Sequence, residues 1–219
     1  MSKNRNEKEN TDNLPIRSVW IGDIGDDDWL FGIIQEIITL DLEDNSKPIY
    51  LFINSNGGRT ESMAKIRNLL LENISSPIIT VGIINVKSAA CSIFACGHTR
   101  VVLEGTKFLF HHSKVQFYSD SSWEFTMDDL EHRLSELKKH NKFNLKRCLT
   151  MRLEHSNPCK ISPQQLNNLI ETGENKELII NAQKAKKLGL VDVVIKKISS
   201  LHEVEKKLMN KFKNKKNNK

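Results

Sequence analysis

Along its first half the chain alternates between two hydrophobic patterns. Arg17 to Gly22 reads as a short strand. Asp26 to Asp28 then supply a cap and first-turn acids, and Leu30, Ile33, Ile34, Ile37 and Leu40 recur at helical spacing. Pro48 to Asn54, PIYLFIN, is an apolar strand, and Asn54 to Gly58 is a turn. Met63, Ile66, Leu69 and Leu70 mark the face of a second helix. Pro77 to Val86 reads as another buried strand, Ala89 to Cys96 as a buried helix of small residues, and Val101 to Leu103 and Phe108 to Phe110 as further short strands. Uninterrupted apolar strands separated by helices predict a parallel sheet covered on both faces and joined by right-handed crossovers.

From Trp123 the pattern changes. Thr126, Asp128 and Asp129 open a long helix whose apolar positions are Leu130, Leu134, Leu137, Leu145, Cys148 and Leu149. A helix of that length projects from a small core, and its stripe calls for cover by a partner or a symmetry mate. Ser162 and Pro163 start another helix. Asn181 to Leu188 is a short helix stopped by Gly189, and Leu190 to Ile195 returns to a strand.

The chain has 219 residues and a formal charge of +6. Glu205 to Lys219 holds seven lysines and one acid, so the remainder is almost neutral. That tail reads as a solvated or frayed basic extension. Its single aromatic, Phe212, and the lack of a base-reading module argue against nucleic acid as a partner. Residues 1–14 are polar and read as disordered, with no apolar core of a secretory signal. No apolar run approaches the roughly twenty residues that span a bilayer. Cys91, Cys96, Cys148 and Cys159 lack CxxC spacing and read as free thiols of a reducing compartment.

Candidate chemistry centres on Gly82 to Gly97, GIINVKSAACSIFACG. A strand passing directly into a helix would hold the Ser88 hydroxyl on a sharp turn beside unpaired backbone N–H groups, as a nucleophile requires. The alternative is that Ser88 is only a helix N-cap. Gly57 and Gly58 follow the PIYLFIN strand and let a substrate approach backbone donors, or they are a plain turn. His111 and His112 follow an apolar strand; adjacent on it, they point to opposite faces, so one of them would face a site. Glu177 opens the segment ELII, where an acid either orients an imidazole or is simply solvated.

Taken in order, these segments resemble the ClpP-type serine peptidases, the proteolytic subunits of Clp proteases, from about Leu14 to Ile195. IYLFINSNGG resembles the family's INSPGG segment. TVGIINVKSAACSIFACG is similar to the segment ending GxAASMGAFLLAAG, which places Ser88 on the nucleophile. KFLFHHS resembles RVMIHQP and places His111 on the catalytic histidine. ELIINAQKAKKLGLVD resembles DxFLSAxEAxxYGLVD; the register of Ala182, Ala185 and Gly189 to Asp192 places Glu177 on the triad acid. Gly58 and Ala89 fall on the two oxyanion donors.

The chain departs from the pattern at Asn56, where the family has proline, and at Lys87, where a small residue is usual. Ile84 and Asn85 stand in the region of a common glycine, and His112–Ser113 replace Gln-Pro. Glutamate as the acid resembles the ClpP-related proteases of phage head maturation. Two other bases stay open: His112, if the strand register slips by one, and Lys87, in the manner of Ser–Lys dyads.

The resemblance implies an α/β ClpP/crotonase-like spiral of βαβ units. Residues 15–122 and 154–198 would form the head, 123–153 a projecting handle helix, and 199–219 a basic tail. It implies a cytoplasmic serine endopeptidase that degrades unfolded polypeptides to short peptides, without metal or organic cofactor. The enzyme would be a homo-oligomer of stacked heptameric rings. The sequence has no GxxxxGK[ST] loop, so ATP dependence would come from a separate AAA+ Clp unfoldase. The alternatives are a catalytically inactive structural subunit of a mixed ring and an acyl-CoA-binding crotonase relative. The Ser–His–acid register argues against the last.

Overall fold

The computed structural model describes residues 17–112, 126–129, 131–132, 134–135 and 160–216, the last six of these by backbone alone. Segment 1–14, Cys148, Cys159 and most of the expected handle lie outside the described residues. The handle's start lies within them: the Thr126 hydroxyl accepts from Asp129 N at 3.2 Å, and residues 127–129 are helical.

The first half is built of alternating strands and helices: β1 (Ser18–Ile21), α1 (Asp27–Glu43), β2 (Ile49–Ser55), α2 (Thr60–Glu72), β3 (Ile78–Lys87) and α3 (Ala89–Phe94). β4 (Thr99–Leu103) and β5 (Lys107–His111) follow. After residue 160 come α4 (Pro163–Glu171), β6 (Glu177–Asn181), α5 (Ala182–Lys187), β7 (Val193–Ile195) and α6 (Leu201–Lys216). The helix starts are those the sequence signals. Asp26 caps α1, Ser162 closes a capping box with Gln165, and Asn181 caps α5.

The seven strands form one sheet, with β1-β2-β3-β4-β7 in parallel order. Strand β3 serves two neighbours. Ile79–Gly82 pair with β4, and Asn85–Lys87 pair with β5, which is joined antiparallel to β6. The α/β class expected from the apolar runs is therefore observed. Alternation along the strands divides the core. Ile49, Leu51 and Ile53 face the helices α1 to α4, while Tyr50, Phe52, Ile79 and Val81 face the other way.

That second face corrects the reading of the C-terminus as a solvated extension. Leu201, Val204 and Leu208 lie on one side of α6 and are buried against Tyr50, Phe52, Val81 and Val101. The Tyr50 hydroxyl donates to Glu205 Oε2 at 2.6 Å. The Gly189–Asp192 segment leads into β7 and is tied to Arg100 of β4. Gly189 takes a positive φ of 74°, and buried Asp192 accepts from Arg100 Nε, Nη2 and N at 2.7–2.8 Å. No helix among the described residues is long and apolar enough to cross a membrane.

Candidate active site

Strand β3 passes into α3 through Ser88 alone, with φ 52° and ψ −123°. A side chain held there costs on the order of 1–3 kcal/mol, which the surrounding ladder has to offset. Ser88 N donates to Leu109 O of β5 at 2.8 Å, and Ser88 O accepts from Cys91 N at 3.0 Å. An N-cap serine has an extended backbone and a hydroxyl that accepts from the first turn. Ser88 has neither, and its Oγ makes no hydrogen bond among the described residues. The helix-cap alternative is excluded.

The glycine loop lies directly against this turn. A Cβ on Gly57 would stand 2.7 Å from Ser88 Cβ, and one on Gly58 would stand 2.1 Å from Ile24 O. Both glycines have positive φ, 106° and 138°. The loop's donors can be accounted for one by one. Asn56 N donates to Asp23 Oδ1 at 2.6 Å, Gly57 N to Ser55 Oγ at 3.0 Å, and Arg59 N to Ile24 O at 3.0 Å. Gly58 N–H is the one left without an acceptor among the described residues, and Gly58 is exposed. Ala89 N–H, at the first position of α3, is likewise unpaired there, as a helix start dictates.

The β5–β6 register sets His111 opposite Glu177, so the two side chains leave the same face of the sheet. His111 Nδ1 donates to His112 O at 2.5 Å, since a carbonyl only accepts; in the neutral ring Nε2 is then the acceptor. His112 turns elsewhere: its Nε2 meets Glu171 Oε1 of α4 at 2.9 Å. Lys87 Nζ donates to Asn56 Oδ1 of the glycine loop at 3.1 Å, and no hydrogen bond joins it to Ser88 Oγ among the described residues. No hydrogen bond joins Ser88 Oγ to either imidazole among the described residues.

This arrangement offers a hydroxyl on a strained turn, the Gly58 and Ala89 N–H groups unpaired among the described residues, and an imidazole on the neighbouring strand. The family model described as Clp protease matches residues 4–198. The chain belongs to the Clp protease family. Among its relatives, ATP-dependent Clp protease proteolytic subunit 2 of Prochlorococcus marinus (strain MIT 9312) is 24% identical over 181 residues, covering 82% of this chain and 81% of that protein. Proteolytic subunit 3 of Synechococcus sp. (strain CC9605) and of Parasynechococcus marenigrum (strain WH8102) are each 25% identical over 181 residues, covering 82% of both chains.

Within this Clp protease chain the sequence left three contributors unnoticed. Ile24 forms a parallel bridge with Gly58, Asp23 accepts from Asn56, and Glu171 holds His112. Asp23 sits in GDIGDDD, which reads locally as a helix entry. Its partner is 33 residues away, so no short-range pattern announces it.

Proposed function

We propose that the chain is a serine endopeptidase that cleaves unfolded polypeptides inside a self-compartmentalised homo-oligomeric ring. Ser88 Oγ attacks the scissile carbonyl while His111 Nε2 takes its proton. The oxyanion is received by Gly58 and Ala89 N–H, and His111 returns the proton to the leaving amine. Water then attacks the acyl-enzyme with the same base, releasing a peptide acid and Ser88. Glu177, opposite His111, steadies the imidazolium that forms in each half-reaction. In this reading ATP dependence enters through a separate AAA+ unfoldase in the cytoplasm, as the relatives' names combine ATP dependence with a proteolytic subunit.

The observation that carries the proposal is the donor accounting. Along Asn56–Arg59 one N–H is unpaired among the described residues, and it lies in the loop packed on Ser88. A fluorophosphonate probe tests it. Labelling of the assembled chain that disappears in Ser88→Ala is expected. Unlabelled wild-type chain would instead favour a structural subunit of a mixed ring. That second reading draws on His111 Nδ1 being taken by His112 O and on the unbonded Ser88 Oγ.

A further inference from the structure

We infer that Lys87, Asn56 and Asp23 form a tether that sets the glycine loop against the nucleophile, with Lys87 as a positioning residue for the oxyanion donors. The inference rests on the roles proposed above for Ser88, Gly58 and Ala89. Lys87 Nζ donates to Asn56 Oδ1 at 3.1 Å. The Asn56 carboxamide donates from Nδ2 to Asp23 Oδ2 at 3.5 Å, and its backbone N–H donates to Asp23 Oδ1 at 2.6 Å. Cation, amide and carboxylate therefore run in one donor-to-acceptor direction across three chain segments. Each bond polarises the next, and the carboxylate acceptor makes the backbone bond the strongest.

The placement gives this chain of bonds its consequence. Lys87 immediately precedes Ser88, and Asn56 lies in the loop that carries Gly58. The ladder alone does not fix that loop. The β2–β3 register shifts between Ile53 and Ser55, just before it. From the other side the loop is held by the Ile24–Gly58 bridge. The tether closes the gap between the two, joining the residue beside the nucleophile to the loop and to Asp23.

It also gives two departures from the family pattern one cause. A proline at Asn56's position would restrict its own φ and could donate to nothing. Asparagine has no such restriction, and here the restraint comes from outside, through Lys87 and Asp23. Asn56 and Asp23 are exposed, so each bond contributes little to folding. The effect belongs in the rate of the chemical step.

The test uses the full assembled chain with three readouts: phosphonylation rate of Ser88 by a fluorophosphonate, kcat and KM on neutral and acidic fluorogenic peptides, and amide hydrogen exchange over residues 55–59. Lys87→Ala and Asn56→Ala should each lower phosphonylation and kcat about tenfold, with KM changed by less than about twofold. Exchange over 55–59 should accelerate in both. The double variant should be no slower than either single one, and Lys87→Arg, which keeps a donor, should recover most of the rate. Additive losses or unchanged exchange would overturn the tether. So would a loss confined to KM for acidic peptides, which would place Lys87 in substrate recognition. A wild-type chain that the probe does not modify would sink the peptidase reading, while exchange over 55–59 would still decide the tether.

Discussion

Ser88 and His111 sit at the ends of neighbouring strands, yet they are held in different ways. Ser88 and the donors beside it are placed by backbone: a positive φ, a bond from Ser88 N to β5, and a glycine loop that tolerates no Cβ at either glycine. The side chains that bear on this half are those of Asp23, Ser55, Asn56 and Lys87, which bond the glycine loop. The strand register sets the Cα atoms of His111 and Glu177 opposite each other. The imidazole then answers to the carbonyl of His112. Donors that stabilise an oxyanion must be fixed before charge develops. A base that takes and returns a proton needs side-chain freedom. On the proposed roles, the fold preorganises the donor half through backbone and the side chains that tether it, and leaves the base to its own rotamer.

The largest expected effect breaks both halves at once. Ser88→Ala and His111→Ala should each lower peptide hydrolysis by about 10⁴–10⁶-fold, because groups that act as a unit fail together. His112→Ala should stay within about threefold of wild type, since the His112 side chain is engaged by Glu171 and its carbonyl survives the substitution. Equal losses at both histidines would erase the distinction between them. Ser88→Gly sharpens the backbone side. It should be as inactive as Ser88→Ala but more stable than it by about 1 kcal/mol, measured by thermal melting, because glycine relieves the positive φ.

Gly58→Ala comes next. Its Cβ would collide with the Ile24 carbonyl and lift the donor away from Ser88. Phosphonylation should fall about 10²–10³-fold, the cost of losing one oxyanion donor. Normal labelling would mean that Gly58 N–H is not that donor.

How much of this was legible follows from the same division. The strands were readable because parallel strands buried on both faces are continuous apolar runs, as in IYLFINS and IITVGIINVK. The order glycine, serine, histidine, acid in the sequence suggested the site proposed above. The positive φ of Ser88 was not, since serine is an ordinary residue at a helix start. Asp23, Asn56 and Lys87 were illegible as a group because the links between them span 33 and 31 residues. Helix α6 was missed for another reason. Lysines outnumber Leu201, Val204 and Leu208, and a basic run reads as solvated unless a sheet face is known to need cover.

A smaller loss is expected at the acid. Replacing an acid that alone fixes a catalytic tautomer costs about 10⁴-fold. Here a carbonyl already takes Nδ1–H, so Glu177→Gln should lower kcat only about tenfold, a value set by the imidazolium charge it no longer steadies. A loss of the larger size would show that His111 leaves the His112 carbonyl for Glu177 when substrate is bound. The side-chain half would then be reorganised on binding.

The smallest effect lies on the opposite face of the sheet and serves as a control for both halves. Burial first, and then the hydrogen bond to Glu205, push the Tyr50 phenol above its ordinary value of 10.0. A folded-state pKa above the unfolded one gives a contribution that is complete below about pH 10 and lost as pH rises beyond it. Tyr50→Phe removes the bond to α6 and should lower stability by about 1 kcal/mol at neutral pH. It should also flatten the fall in melting temperature above pH 10, since the variant has no phenol to ionise. Labelling of Ser88 should not change, because Tyr50 faces α6 while its neighbours on β2, Leu51 and Ile53, face the helices that support the site. A Tyr50→Phe chain that labels slowly would show that strand β2 transmits its packing to the glycine loop at its end. The backbone half would then be less independent of the core than its geometry implies.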